Sequence, residues 1–335
     1  MDFNSIGLTL STAEPISIKC FPVSGIFVEN SFQVLQFLMD NFEELIKTDF
    51  VLVLDQLISF GFLFTLCVTS QTAFSSYACP LVNTTTHLHP FLTLFLLYYF
   101  CKTGDEMMIE ADVTLAESSR YPIPIMAHPP LNMSDLTLED FLVQVIQCDR
   151  GKGVKLDFKS TRVVEPAFRV LARHADQLRT PLVLNADILP GEHPSNAQPV
   201  DAWTFLMLCR TRFPKSIISI GWCADVSASC SGPMASRGYT RQMVDQMLAI
   251  VKEYSLMQPV TFPVNAALAK YSVSELQRLL FQLPNSTLTL WAHEGDPVTI
   301  EDLLVLRKAF AHNQLFYDLP EDFLNVLRLQ AYKQR

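Results

Sequence analysis

A pair of carboxylates, Glu110 and Asp112, stands two residues apart within the apolar run 107–113. Residues i and i+2 of a β-strand share one face, so a strand here would direct both carboxylates to the same side. Two neighbouring carboxylates repel each other and lose hydration when they are buried. Their spacing therefore predicts a bound cation or an open cleft, and His128, shortly downstream, is a candidate for proton transfer.

A second charged strand follows at 153–159, where Lys155, Asp157 and Lys159 share one face by the same alternation. One interpretation is a structural ladder of ion pairs inside the fold. The other is that Asp157 binds a cation while a lysine faces an anionic oxygen. Three acidic side chains from two strands suit a hard cation such as Mg²⁺ or Ca²⁺, and with His128 and the lysines they favour displacement at phosphorus.

Short apolar or β-branched runs alternate with stretches of helical periodicity downstream of residue 106. The predicted strands are 107–113, 124–128, 153–159, 181–187, 216–222, 259–265 and 287–293, and the predicted helices begin near 137, 163, 201, 240, 272 and 298. This alternation predicts a parallel sheet covered by helices.

A (β/α)8 barrel of the TIM type is the favoured arrangement, and seven strands leave it one short. Residues 91–99 are the candidate first strand, and 315–320 could add a terminal extra strand. A doubly wound open sheet is the alternative. No glycine-rich phosphate turn follows any predicted strand, so dinucleotide binding finds no support.

Polar or aromatic residues stand at the carboxyl ends of all seven predicted strands, which meet at one face of a barrel where active sites are built. They are Glu110, Asp112, His128, Asp157, Lys159, Asn185, Asp187, Trp222, Asn265, Trp291 and His293. We predict Glu110, Asp112 and Asp157 as metal ligands and His128, Lys155 and Lys159 as catalytic residues. Asn185, Asp187, Trp222, Trp291 and His293 would line the pocket, although the aromatic residues are more often packing residues.

Residues 1–103 differ in composition from the barrel segment, 104–335. Two stretches, 50–68 and 90–101, are apolar and almost free of charge. The first approaches membrane-spanning length but contains Asp55, and the second is too short to span a bilayer. The first residues lack the pattern of a secretory signal. The sequence therefore favours a cytoplasmic chain, with membrane association through 50–101 as an open alternative. The segment 1–103 could be poorly ordered, supply the first strand or represent an alternative isoform or gene model.

Overall charge and cysteine spacing exclude several classes of protein. Lys and Arg number 25 against 34 Asp and Glu, which gives a formal net charge of −9, and no basic run is interleaved with aromatic residues. Nucleic acid is therefore not expected as a partner. The eight cysteines form no Cys-x-x-Cys pair and no cluster with zinc-ligand spacing, so neither a redox motif nor a structural zinc site is predicted.

A series of short motifs resembles the menorin family, and its cytosolic-type vertebrate members most. In chain order between residues 104 and 330 they are MMIEADV, PIMAHPP, SDLTLEDFL, GKGVKLDFKS, LNADILPG, SIGW and LTLWAHEGD. Menorin domains are similar to glycerophosphodiester phosphodiesterases and spider-venom phospholipase D, which are metal-dependent barrels. The resemblance implies that Glu110 and Asp112 match their Glu-x-Asp metal ligands, that Asp157 matches the third acidic ligand, and that His128 matches a histidine by position.

One expected motif is missing from this chain. Menorin-type chains carry Trp-x-His, followed closely by Asn, at the end of the first strand, and residues 80–106 contain no such motif. The resemblance therefore implies the metal half of a phosphodiesterase site, with an anionic phosphodiester or lipid headgroup as ligand, and leaves catalysis open. Its alternative implication is a non-catalytic interaction protein that acts through protein partners in neuronal dendrite patterning.

Overall fold

One nine-stranded sheet organises the part of the chain that the structure describes. The computed structural model describes residues 18–20, 107–117, 120–148, 151–191, 197–223 and 238–333. The strands are β1 (Ile18–Cys20), β2 (Met108–Leu115), β3 (Pro124–Met126), β4 (Gly153–Phe158), β5 (Leu182–Pro190), β6 (Ile217–Cys223), β7 (Val260–Asn265), β8 (Ser286–Trp291) and β9 (Leu315–Asp318). The helices are α1 (Leu138–Cys148), α2 (Thr161–His174), α3 (Ala202–Arg212), α4 (Arg241–Glu253), α5 (Ala266–Ala269), α6 (Val273–Gln282), α7 (Ile300–Ala309) and α8 (Glu321–Lys333), and a 3₁₀ turn covers His312–Gln314.

Eight strands follow one another across the sheet in the order β1-β2-β4-β5-β6-β7-β8-β9, and every neighbouring pair is parallel. The backbone of β1 also comes close to that of β9. Parallel strands in chain order, with helices in the connections described from β4 onward, are the arrangement of a TIM-type barrel. The predicted α/β barrel class is therefore confirmed at the level of a curved, barrel-like sheet.

The sheet has the eight parallel strands expected of a barrel, and six of them coincide with the seven predicted strands. Residues 124–128 were predicted as a barrel strand, but β3 lies off the main path and pairs antiparallel with the end of β2. Proline at its first residue and at 129 and 130 limits β3 to three residues. The terminal strand offered for 315–320 is observed as β9, which pairs with β8 from Leu315 to Asp318 and is one of the eight parallel strands. The predicted first strand, 91–99, lies outside the described residues, and β1 stands beside β2.

The core lies between the sheet and its helices, and β4 illustrates how the sequence builds it. Val154, Leu156 and Phe158 alternate along the strand and are buried. The ring of Phe158 packs against Phe168 of α2 and Phe205 of α3, with centroids 5.4 and 5.7 Å away. Burying such a side chain stabilises the fold by about 1.5–3 kcal/mol. The intervening residues of β4 must therefore face the interior of the barrel.

None of the helices in the described part of the chain combines the length and the apolar character needed to cross a bilayer. The apolar segment 50–101, which the sequence offered for membrane association, lies outside the described residues.

Candidate functional site

One polar row crosses four neighbouring strands at the mouth of the sheet. Asp112 of β2, Asp157 of β4, Asn185 of β5 and Ser219 of β6 are partners in register from strand to strand. Register partners project their side chains to the same face, so the four groups lie side by side. Four of the seven strands that were predicted to meet at one face therefore bring polar side chains together.

A buried ion pair lies one layer below this row. Glu110 and Lys155 are register partners on β2 and β4, and the Nζ atom of Lys155 lies 2.8 Å from Oε2 of Glu110. The two side chains are only 5% and 6% exposed. Both had been predicted as part of the reactive site, Glu110 as a metal ligand and Lys155 as catalytic. Their mutual contact favours the structural interpretation, a rung of an ion-pair ladder inside the barrel.

Lys159 bridges two carboxylates at the rim of the same face. Its Nζ atom lies 2.9 Å from Oδ1 of Asp112 and 2.6 Å from Oδ2 of Asp157, and its side chain is 23% exposed. Burial lowers the pKa of Lys159, but the two carboxylates raise it well above its usual range. The ammonium group therefore stays charged between Asp112 and Asp157.

The carboxyl groups of Asp112 and Asp157 respond differently to the same lysine. Burial raises the pKa of Asp112, and Lys159 offsets only part of that rise. Burial acts on Asp157 in the same direction, but the charges of Lys159 and Lys155 lower its pKa by more. Asp157 is thus the better compensated carboxylate of the pair.

Asn185 and Ser219 hold Asp157 in place. The hydroxyl of Ser219 donates to Oδ1 of Asn185, which fixes the amide so that Nδ2 donates to Oδ1 of Asp157 over 2.7 Å. That leaves Oδ2 of Asp157 for the ammonium group of Lys159. Asn185, which was predicted to line the pocket, positions an acidic group there.

A fourth carboxylate, Asp187, extends from β5 over Gly221 of β6, its register partner. A Cβ atom at Gly221 would overlap Oδ1 of Asp187, so the glycine makes room for this carboxylate. Within the described residues the Asp187 side chain forms no hydrogen bond or ion pair. Burial, with the repulsion of Asp157, raises its pKa to about 7. Among the described residues, β2, β4, β5 and the residue after β4 thus bring four carboxylates together with two ammonium groups.

Whether these groups suit a divalent cation depends on their chemistry and on Lys159. The donor atoms are carboxylate oxygens, which Mg²⁺ and Ca²⁺ prefer, and the ammonium of Lys159 already takes the place of a cation between Asp112 and Asp157. As they stand, no three His, Cys, Asp or Glu side chains in the described part of the chain converge as a metal site. The residues therefore fit such a cation in type and charge, provided that Lys159 moves aside.

His128 lies on the exposed turn after β3, and its Nδ1 atom is 2.6 Å from the carbonyl oxygen of Pro129. The backbone of β3 reaches the site, because the N–H of Ala127 donates to the carbonyl of Asp112 over 3.1 Å. The imidazole itself forms no contact with the carboxylates of Asp112 or Asp157, whose described partners are Lys159 and Asn185. A catalytic role for His128 stays a prediction.

Trp222 lies in the packed layer behind the sheet. It alternates along β6 with Ser219 and Gly221, which face the carboxylates, and its ring packs against Tyr239 and Phe262 with centroids 5.1 and 6.4 Å away. It is buried, and its Nε1 atom finds no hydrogen-bond partner among the described residues. Trp222 therefore serves as a packing residue, the role that the sequence favoured for the aromatic side chains.

Trp291 and His293 lie where the loop after β8 begins, with ring centroids 5.0 Å apart. Asn265 at the end of β7 holds this loop, because its Nδ2 atom donates to Oδ2 of Asp296 over 2.7 Å. The same carboxylate oxygen accepts a hydrogen bond from the N–H of His293 over 2.9 Å. Asn265 and Asp296 thus hold the backbone at His293, and Trp291 packs against the ring of His293.

Sequence reasoning missed three groups at the mouth. Asp318 ends β9 beside Trp291 and is buried, and the strand-end rule would have found it had 315–320 been counted as a barrel strand. Cys223 ends β6, where burial and the repulsion of Asp187 and Asp157 raise its pKa to about 12, so its thiol stays protonated. Ser219, the third, was hidden because a lone serine in an apolar strand gives no distinctive signal.

Sequence comparison gives the family context of this site. The Menorin N-terminal domain pattern matches residues 100–324. The chain is 42% identical over 215 residues to human "Protein FAM151B", an alignment that covers 64% of this chain and 75% of that protein. The matched region includes the whole polar row and the buried ion pair.

Structural comparison finds more distant solved proteins. The intracellular xylanase TsXylA of Thermoanaerobacterium saccharolyticum, in its xylotetraose complex, gives a TM-score of 0.38 at 10% identity, with 67% of this chain and 80% of that chain covered. A family 18 chitinase from Crocus vernus gives a TM-score of 0.35 at 9% identity, with coverage of 70% and 92%.

Proposed function

This chain belongs to the menorin family, and we propose that it binds a divalent cation and a phosphodiester at the mouth of its barrel. Asp112 and Asp157 would be the principal cation ligands, and Asp187 would add negative charge beside them. Lys159 would face the anionic ligand. The bound cation would supply Lewis-acid stabilisation of a phosphoryl oxygen.

The observation that carries the proposal is the excess of negative charge at this mouth. Four carboxylates, from Glu110, Asp112, Asp157 and Asp187, share the site with the ammonium groups of Lys155 and Lys159. Crowded carboxylates in a partly buried site are relieved either by protonation or by a cation. A divalent cation would make the formal charge of the six groups neutral.

The phosphodiester half of the proposal rests on the rim lysine and on the family's resemblance to metal-dependent phosphodiesterases. An ammonium group beside a cation site suits the negative oxygen of a phosphodiester. Lys159 would take this role and not Lys155, because Lys155 is held by Glu110 below the surface.

We expect Asp112→Asn to weaken Ca²⁺ and Mg²⁺ binding by about tenfold or more, because it removes one charged ligand. Isothermal titration calorimetry of the full chain measures this directly. Asp176→Asn, in the exposed turn after α2, is the matched control and should bind as the wild type does. Equal affinity in the wild type and Asp112→Asn would remove these carboxylates as the cation site.

A second candidate is ligand binding without turnover, or a protein-interaction role of the kind that the resemblance implies. It is favoured by β1, which reads Ile-Lys-Cys and carries no histidine. It is also favoured by the contacts of Asp112 and Asp157 with other described residues, none of which involves an imidazole. We expect release of nitrophenolate from bis(4-nitrophenyl) phosphate to separate the two. Turnover that requires Ca²⁺ or Mg²⁺ and falls in His128→Ala would favour the enzyme, whereas ligand binding with no release would favour the second candidate.

A further inference from the structure

The two lysines of the site are held in different ways. Lys155 lies in the interior, and its contact with Glu110 leaves both side chains about 5–6% exposed. Lys159 follows the last residue of β4, and its ammonium is at the rim with a side chain that is 23% exposed. Its backbone is fixed, since its N–H donates to the carbonyl of Val113 over 3.1 Å. Only the flexible stem of Lys159 would have to rotate for its charge to leave the carboxylates.

The position of the Lys159 ammonium is the one that a bridging cation would need. It contacts one oxygen from each of Asp112 and Asp157, at 2.9 and 2.6 Å. A cation that bridges these carboxylates must therefore remove the ammonium first. The ammonium carries one positive charge for two carboxylates, so a divalent cation in its place would compensate both.

We propose that Lys159 is a tethered competitor of the divalent cation, and that cation binding at Asp112 and Asp157 turns its ammonium outward to an anionic ligand at the rim. The proposal rests on the proposed function, because it concerns the same site. Its separate claim is that Lys159 and the cation compete for the same two carboxylates. Lys159 pairs with Asp112 and Asp157 when no cation is bound and helps to bind the anion when the cation is present.

This arrangement couples the two ligands. Separating Lys159 from its two carboxylates costs free energy, which weakens cation binding. An anion that pairs with the displaced ammonium offsets part of this cost. By linkage, each ligand then raises the affinity for the other by the same factor.

The decisive experiment is calorimetric titration of the full-length chain with CaCl₂, in the wild type, Lys159→Gln and Lys270→Gln. Lys159→Gln should bind Ca²⁺ at least about tenfold more tightly than the wild type, because the competitor is gone. Lys270→Gln removes the same charge from a comparable pair, in which Nζ lies 2.9 Å from Oδ2 of Asp302. It should shift the affinity by less than about twofold, since it acts only through screened, long-range charge.

The outcomes separate this inference from the proposed function. Tight Ca²⁺ binding by Lys159→Gln with none by the wild type would support the competitor and reject cation binding by the native chain. Wild-type binding that Lys159→Gln leaves unchanged or weaker would overturn the competitor and keep the function. No binding by either protein would overturn both. An equal gain in Ca²⁺ affinity in Lys270→Gln would mean that the loss of one positive charge, and not the loss of a competitor, explains the effect, and would overturn the inference.

A second measurement needs no substitution at Lys159 and applies if Lys159→Gln fails to show a cooperative thermal melt. The wild type is titrated with CaCl₂ in the presence and absence of saturating dimethyl phosphate. The anion should raise the Ca²⁺ affinity by at least about fivefold. An affinity that dimethyl phosphate leaves unchanged would overturn the proposal.

Discussion

Replacing Lys155 by methionine should lower the free energy of unfolding by about 3–5 kcal/mol. The substitution keeps the length and apolar stem of the side chain but removes the ammonium that lies 2.8 Å from Glu110. The carboxylate of Glu110 would remain in a site where its side chain is 5% exposed. Removing one member of a buried ion pair is among the costliest substitutions in a folded protein. Urea unfolding followed by circular dichroism measures the loss.

The double variant Glu110→Leu/Lys155→Met tests the reason for that loss. Replacing both members of a buried ion pair by apolar residues is often neutral or stabilising. We therefore expect the double variant to recover most of the about 3–5 kcal/mol that Lys155→Met loses. Arg169→Met serves as the surface control, because the Arg169–Glu165 pair has side chains 71% and 35% exposed. That variant should lose less than about 1 kcal/mol. A Lys155→Met protein as stable as the wild type would contradict the structural interpretation of this pair.

This result would also reduce the number of carboxylates that could be cation ligands. The sequence alone selects Glu110, Asp112 and Asp157 as cation ligands. If Glu110 is paired with Lys155, Asp187 would take its place beside Asp112 and Asp157. Asp112→Asn is then the better probe of cation binding than Glu110→Gln, because the latter would disturb the buried pair and change stability as well as affinity.

The barrel and the location of its mouth could be predicted because their signals are periodic. Along β4, the buried apolar residues Val154, Leu156 and Phe158 alternate with Lys155 and Asp157. A period of two fixes which residues face the interior, and repetition of strand and helix fixes the parallel order. The same logic places polar strand ends at one face before any coordinates are known.

The partners of those polar residues could not be predicted, because they depend on register between strands. The sequence of β4 does not reveal that Lys159 reaches back to Asp112 as well as to Asp157, or that Glu110 lies opposite Lys155. The orientation of the Asn185 amide is likewise set by a serine on another strand. The direction of β3 could not be predicted either, because three apolar residues carry no signal that distinguishes an antiparallel strand from a parallel one.

Asp187→Asn should stabilise the protein at pH 8 by about 2–4 kcal/mol and change its stability little at pH 4. Burial and the repulsion of Asp157 and Glu110 raise the pKa of Asp187 to about 7 despite the nearby charges of Lys159 and Lys155. Between the ordinary value of 3.8 and about 7, the unfolded chain gives up this proton while the folded chain retains it. The contribution of Asp187 to stability therefore falls as pH rises through this range, by at most about 1.4 kcal/mol per pH unit, and is constant above it.

Urea unfolding at pH 4, 6 and 8 in the presence of EDTA measures this dependence without interference from divalent cations. Asp176→Asn, in the exposed turn after α2, makes the same chemical change outside the site and should leave the pH dependence of the wild type intact. A gain in Asp187→Asn that is equal at all three pH values would mean that packing over Gly221, and not ionisation, limits stability here. A gain that grows with pH would show that the mouth carries an uncompensated carboxylate at neutral pH, the property on which cation binding depends.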